Sequence, residues 1–587
     1  MSQSSEQKPK VKCPLHTVFL DLVVFFLIFG WLMLFFSALS LFYTASITIS
    51  LILAAALAIF LARKIKFELG RSKLFPVVFF ISLFVSLASC YFATPTVFGG
   101  RDQGAISTAA ISLSKNNSLK VFTPISNGLF QKYGAGRSLN FPGFDFAKSG
   151  QLISRFPVAY TSYLASAYGI FDLKGIQYAN FIPLFLFLVS FWLILQEFFP
   201  KRVSFLGFLI AATFFPFLWF AKYTLTETYM LFLVWTGILF LIYFAKRKNE
   251  AFLWISLAAF GLSALTRIEG IIFFLLAIAY IFVLQKKKAV EMPKRFNRYM
   301  LIGSFFLIIA CLYLNFPALT DSLKNLAKAF VSNSAKESTP STNLYAYLIR
   351  IFFNYNAFTY LIIGLAGIIW LGKNIRKNWQ KTELIPLLIL FPAFFYLFTP
   401  QITLDDPWLL RRFVFAVFPV LIFYSVYILN KFFYHKIFLY IVLLMLILAN
   451  TAVSWRFINF SENKDLLSQV EKISQKFGSD DLVLVDRLAT GSGYSLASEP
   501  MRSIFGKKAV YFFNSEDLKY IDQQRYKNIY LITPPIEKDM WYAEIIKGKA
   551  PESIETISNN FLVPSEKKWA LAEFAEAKIP VAIWKIK

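Results

Sequence analysis

Four short polar stretches interrupt long apolar runs, and each carries side chains able to do chemistry. The first is Arg101-Asp102-Gln103. A carboxylate such as Asp102 can accept, or orient, the proton of an attacking hydroxyl, with Arg101 and Gln103 as contacts for a polar substrate. The plainer alternative is a helix cap bearing a solvated charge. The second stretch is Lys222-Tyr223-Thr224-Leu225-Thr226-Glu227. Thr224 or Thr226 can cap the next helix with Glu227 in its first turn, or Lys222, Tyr223 and Glu227 can wall a substrate site. The third is Leu265-Thr266-Arg267-Ile268-Glu269-Gly270, between two short apolar runs. A recessed arginine needs an anionic partner. Glu269 can be that partner, or a lipid phosphate, whose geometry a guanidinium matches well. The fourth is Asp405-Asp406-Pro407-Trp408-Leu409-Leu410-Arg411-Arg412. Paired arginines at a helix start oppose the helix dipole. Either Arg411 and Arg412 hold a phosphate there, or they pair locally with Asp405 and Asp406.

The elements that must position these groups are apolar. Of 587 residues, 57% are hydrophobic and only 16% charged, with 69 phenylalanines; soluble chains carry about 25% charge. The apolar residues cluster in runs near the ~20 residues a bilayer core requires: 16–42, 45–62, 74–92, 177–198, 203–220, 227–245, 251–264, 270–285, 299–316, 357–372, 384–398, 412–430 and 437–455. The chain therefore reads as a polytopic α-helical membrane protein of about thirteen transmembrane helices. Basic clusters follow the second, fourth, sixth, eighth, tenth and twelfth runs, at Arg63–Lys73, Lys201-Arg202, Lys246–Lys248, Lys286–Arg298, Lys373–Lys381 and Lys431–Lys436. With the N-terminus cytoplasmic, all of them lie inside, and all four polar stretches come to the opposite, outer face. Arg411 and Arg412 then break the positive-inside trend as well as the dipole rule, which points to function. Residues 157–171 would invert this topology if they spanned. They are placed instead as an outer interfacial helix, with Tyr160, Tyr163 and Tyr168 at the boundary.

The net charge of +26 raises the question of nucleic acid. Its distribution in loops between apolar runs points to anionic membrane lipids instead, and no nucleic acid partner is expected. Cys13, Cys90 and Cys311 have no motif spacing, and His16 and His435 are the only histidines, so neither a disulfide framework nor a histidine-based metal site is indicated. Lys8, Lys10 and Lys12 precede a run without a cleavage signal, read as a retained first helix. Residues 1–455 form the transmembrane domain, with 93–175 as its first large outer loop, and 332–343 are a polar patch in a second outer loop. Residues 456–587 change character. DLVLVD (481–486), AVYFF (509–513), NIYLIT (528–533) and PVAIWKI (580–586) read as strands and 515–526 as a helix, giving a small extracytoplasmic α/β domain. GSGYS (491–495) is an ordinary turn or, less specifically, a phosphate loop.

Taken in order, several segments resemble the GT-C superfamily of membrane glycosyltransferases, in the branch of protein O-mannosyltransferases and lipid A aminoarabinose transferases. FGGRDQGAISTAAISLSKNNSL resembles the family's first outer loop, with an acidic residue leading into a helix. GQLISRFPVAYTSYLASAYGIF resembles its interfacial helix, TLTETYMLFL its acidic span start, SALTRIEGIIFFLLA its L-T-R-x-x-G turn, and LRRFVFAVFPVLIF its late arginine-proline span. The resemblance covers roughly 90–430. It departs where the family often has Asp-Glu and this chain has Asp102-Gln103. The missing carboxylate counts against a carboxylate-pair metal site, so no metal ligand is assigned, and assistance by a divalent cation (Mg or Mn) stays open.

The resemblance implies transfer of a sugar from a polyprenyl-phosphate donor to a lipid, glycan or protein acceptor at the outer face of the cytoplasmic membrane. It makes Asp102 the base or acceptor orienter, with Arg267, Arg411, Arg412 and Lys222 on the donor phosphate, and inversion by direct displacement. Arg101, Gln103, Tyr223, Glu227, Glu269, Asp405 and Asp406 are then candidate substrate contacts. The alternatives are a transporter or flippase of lipid-linked sugars, which would carry charges deep in the bundle and internal repeats, and an envelope-glycan polymerase or ligase. A partner-binding scaffold would not need so many spans.

Overall fold

A computed structural model describes residues 14–64, 73–290, 292, 296–316, 320, 344–373, 382–390, 405–534, 542–567 and 569–587. Among these, seven helices are long and apolar enough to cross a bilayer, and two bent pairs would bring the number to nine. Three shorter apolar helices are Phe75–Tyr91, Glu250–Thr266 and Val417–Phe432. The expected count of about thirteen is therefore not reached by full-length helices. Twelve of the apolar runs coincide with helices or bent pairs. The run 384–398 is described only to residue 390, mostly as the 3-10 turn Thr382–Ile389. Cys13, Lys8, Lys10, Lys12 and the patch 332–343 lie outside the described residues.

The run 203–220 is two helices, Lys201–Thr213 and Phe215–Ala221, bent by 49°. Pro216 has no N–H to continue the ladder, so the chain turns at Phe214. The helix Thr226–Arg247 is the axis of the bundle, with 94% of its apolar window buried, whereas Phe296–Leu314 is peripheral at 11%. Glu250–Thr266 packs on Thr226–Arg247, and Ile268–Lys286 on Glu250–Thr266.

Between the spans Phe75–Tyr91 and Phe181–Phe198 lies a lobe built on the helix Asp102–Asn116. It carries the helix Pro124–Tyr133, whose Thr123 and Ser126 form a reciprocal capping box. It also carries an antiparallel sheet of β1 (Lys120–Val121), β2 (Gly136–Arg137), β3 (Phe144–Phe146) and β4 (Leu152–Ser154), ordered β1-β4-β3-β2. The helix Val158–Phe171 packs against Asp102–Asn116 and Pro14–Ala38. The sequence pattern places Tyr160 and Tyr163 at a lipid boundary; both are instead buried in protein. Tyr160 Oη donates to Asn180 Oδ1 at 3.0 Å, and Tyr163 Oη to the Ala179 carbonyl at 2.8 Å. A buried phenol needs such a partner, and the protein supplies it.

The C-terminal unit holds β5 (Leu482–Val485), β6 (Lys508–Tyr511), β7 (Ile529–Thr533), β8 (Ser553–Val563) and β9 (Glu573–Lys585) in the order β6-β5-β7-β9-β8. The first three are parallel, and the long β8–β9 pair is antiparallel. The segment 515–526 is not an α-helix but two 3-10 turns, Ser515–Tyr520 and Gln523–Arg525. The side chains of Asn514 and Asp522 accept from the backbone at their starts, which favours short turns over a continued helix.

Candidate functional site

The loop Val97–Arg101 delivers Asp102 as the first residue of its helix. The loop folds tightly over the helix start: a Cβ on Gly104 would lie 1.5 Å from the Phe98 carbonyl oxygen, and Gly100 adopts φ +99°. Arg101 and Asp102 do not pair with each other. Instead they make a crossed pair with the segment before Val417–Phe432. Arg101 Nη2 lies 2.8 Å from Asp405 Oδ2, and Arg411 Nη2 lies 2.6 Å from Asp102 Oδ2. The 3-10 turn Trp408–Phe413 carries Arg411 and Arg412. Two loops more than 300 residues apart in sequence are thus tied by reciprocal charge-assisted contacts.

Asp102 is surrounded by protein, yet 44% of its side chain stays accessible. Burial alone pushes its carboxyl up. The Arg411 guanidinium, with Arg412 and Arg267 further off, outweighs burial and holds it below the usual carboxylate range. Arg412 is pushed down to about 10 by burial and by the neighbouring charges of Arg411 and Arg267. It remains a cation at neutral pH in a place where an anion would favour it.

Arg267 joins Glu250–Thr266 to Ile268–Lys286, at the end of the bundle where Thr226–Arg247 begins. Its guanidinium bridges Glu227 at 2.9 Å and Glu269 at 3.0 Å and donates to Thr226 Oγ1 at 2.9 Å. The local partner weighed for Arg267 is therefore present, and Glu227 joins it. Leu225 stands at the N-cap of Thr226–Arg247 without a side-chain cap bond. Thr224 caps nothing; it joins a buried hydroxyl cluster with Thr96 and Ser107 and donates to the Gln103 carbonyl at 3.0 Å.

Other candidates have partners elsewhere or are buried. Lys222 Nζ donates to the carbonyls of Phe457, Ile458 and Phe460 at 2.8, 2.6 and 2.9 Å. It satisfies the orphan end of the helix Lys436–Ile458, so it is not carried forward as a phosphate ligand. Tyr223 is buried beneath Trp408, their rings 4.6 Å apart. The Gln103 side chain is buried, and so is Asp406, whose carboxyl burial pushes up to about 6 beside Tyr355.

Three residues escaped the sequence reading. Trp408 and Tyr494 each place a ring 4.3 Å from the Arg101 guanidinium carbon. Glu462 accepts from the Trp408 indole at 3.4 Å, and burial pushes its carboxyl up to about 7. Trp408 stood inside a recognised polar stretch; nothing in sequence marked Glu462. Tyr494 belongs to GSGYS, which is a turn docked on Gly100.

Among the described residues, no three His, Cys, Asp or Glu side chains gather as metal ligands. Asp102, Glu227 and Glu269 are each engaged by a guanidinium, so no step is assigned to a metal ion.

No family model matches the chain, and no curated protein matches its sequence. Among solved structures, ArnT from Cupriavidus metallidurans bound to undecaprenyl phosphate superposes with a TM-score of 0.50 at 10% identity, covering 88% of this chain and 97% of that one. The chain shares the fold of ArnT. The Archaeoglobus fulgidus oligosaccharyltransferase in the apo form also matches, with a TM-score of 0.47 at 12% identity over 81% of this chain and 72% of that one. The Asp102 loop, the Arg411-Arg412 turn and the Arg267 helix junction come together around the Asp102 carboxylate.

Proposed function

We propose that the protein is an integral-membrane glycosyltransferase that moves a sugar from a polyprenyl-phosphate donor to an acceptor hydroxyl at the outer face of the cytoplasmic membrane. The observation that carries the reading is the Asp102–Arg411 contact at 2.6 Å, with Arg412 and Arg267 close enough to act on the same carboxylate. A lipid phosphate is a compact anion, and guanidinium groups bind it in paired hydrogen bonds. The solved structure sharing the fold holds undecaprenyl phosphate, which supports the same class of carrier here.

The acceptor oxygen attacks the anomeric carbon, and the bond from that carbon to the phosphate oxygen breaks. The electron pair leaves with the polyprenyl phosphate, whose growing charge Arg411, Arg412 and Arg267 offset. Asp102, kept ionised by those cations, is a weak base and a good hydrogen-bond acceptor. It orients the acceptor hydroxyl and takes its proton late, as the oxygen becomes acidic on bonding to carbon. A donor phosphate that recruits Arg411 from its contact with Asp102 frees the carboxylate for the acceptor.

The test is release of undecaprenyl phosphate by purified protein from a panel of undecaprenyl-phosphate sugars, with candidate lipid, glycan and peptide acceptors. Asp102→Asn should lower the rate by roughly a hundredfold or more while inserting and melting like wild type. Full activity in that variant removes Asp102 from the mechanism.

A further inference from the structure

The C-terminal domain meets the loop Val97–Arg101 directly. Leu496 N donates to the Gly99 carbonyl at 2.9 Å, making an isolated antiparallel bridge. Next to it, Gly100 lies against the Gly493 carbonyl, which a Cβ would approach to 2.8 Å. Tyr494 follows and sets its ring over the Arg101 guanidinium at 4.3 Å, the distance Trp408 keeps on the same group. Trp408 is itself fixed by Tyr223 and by the carboxyl of Glu462. Arg101 is the N-cap of the helix that begins with Asp102, in an extended conformation of φ −116° and ψ 161°. A displaced Arg101 therefore displaces the first residue of that helix.

The loop that supplies Tyr494 follows β5, the middle of the three parallel strands β6-β5-β7. Loops at the carboxyl ends of parallel strands, where the strand order reverses, are the usual binding positions of open α/β sheets. Here that position is turned onto Arg101 and the start of the Asp102 helix.

Resting on the functional reading above, we infer that the C-terminal domain completes the active site, with Tyr494 as a positioning residue that holds Arg101 and so sets the aim of Asp102. The ring needs its π face, because the attraction is between the cation and the aromatic quadrupole. The phenol oxygen is not required, and Tyr494 is 47% exposed, so removing the ring leaves no buried void. A positioning role appears in the chemical step. An error of about 1 Å at a reacting group lowers rate far more than it weakens binding of a distant phosphate.

The experiment compares wild type, Tyr494→Ala, Tyr494→Leu and Tyr494→Phe as full-length protein, using a donor the wild type turns over. Bare undecaprenyl phosphate serves as the binding probe. Alanine and leucine should lower kcat by roughly ten- to hundredfold, leave donor KM within about twofold, and leave undecaprenyl phosphate binding unchanged. Phenylalanine should recover most of kcat. Wild-type kcat in the alanine or leucine variant overturns the inference. So does a phenylalanine variant as impaired as alanine, or a loss expressed wholly in KM. A wild type that turns over no donor overturns the glycosyltransferase reading and this inference with it. An active wild type with unaffected Tyr494 variants overturns this inference alone.

Discussion

Glu462 offers a quantitative check on how the membrane and C-terminal domains meet. Its carboxyl is buried at the seam, accepts from the Trp408 indole, and is pushed up to about 7 by burial, against the opposing pull of Arg101. An ordinary glutamate in the unfolded chain titrates near 4.5. The folded state therefore holds a proton that the unfolded state has released between those two values. Stability is undiminished below about pH 4.5, falls as pH rises to about 7, and stays lowered above it. Each pH unit of displacement corresponds to about 1.4 kcal/mol, so the ionised carboxylate costs the fold about 3 kcal/mol at pH 8. Glu462→Gln keeps an acceptor for the indole and removes the titration. Intrinsic-fluorescence melting in detergent from pH 5 to 8.5 should show the variant and wild type nearly coincident at the acid end. The variant should melt higher by an amount that grows toward neutrality and then levels off. Asp406 titrates in a similar range, so the informative quantity is the difference between the two proteins. A difference independent of pH would refute the assignment of a buried, proton-holding carboxyl to this seam.

Three further outcomes are expected. Arg412→Gln should weaken undecaprenyl phosphate binding by roughly ten- to hundredfold, measured by thermophoresis, because a charge-assisted hydrogen bond is worth about 1.5–3 kcal/mol. Lys222→Met takes the lysine donor from the Ile458 and Phe460 carbonyls at the end of Lys436–Ile458, while Phe457 keeps a backbone donor; melting should fall by several degrees, on the order of 1–3 kcal/mol, with undecaprenyl phosphate affinity unchanged. Gly104→Ala drives a methyl into the Phe98 carbonyl, so the loop must move, and donor turnover should drop while the variant still reaches the membrane fraction.

The spans were legible because a bilayer demands long apolar runs, and nearly every run has its helix or bent pair. The break at Phe214 was missed because hydropathy is blind to a lost backbone donor, although Pro216 was in plain view. The strands β5, β6, β7 and β9 were found from their apolar cores. The strand β8 was missed because SIETISNNFLV does not segregate its side chains: Ile554 is exposed while Asn559 is buried, so no apolar face marks it. Within the candidate site, the polar stretches that the structure brings together were visible in the sequence. Their pairing could not: Arg101 reaches Asp405 and Asp102 reaches Arg411 only through the three-dimensional crossing of two loops. Lys222 was expected on the donor phosphate only through the family resemblance. That its partners are backbone carbonyls at a helix end depends on packing across more than 200 residues.

The most direct measurement is a cryo-EM map of the protein with undecaprenyl phosphate. The expected result is phosphate density about 3 Å from guanidinium nitrogens of the Arg411, Arg412 and Arg267 group, with the Asp102 carboxylate facing the space next to it. Phosphate held at the opposite end of the bundle, by the Lys246 and Arg247 cluster for example, would contradict the assignment.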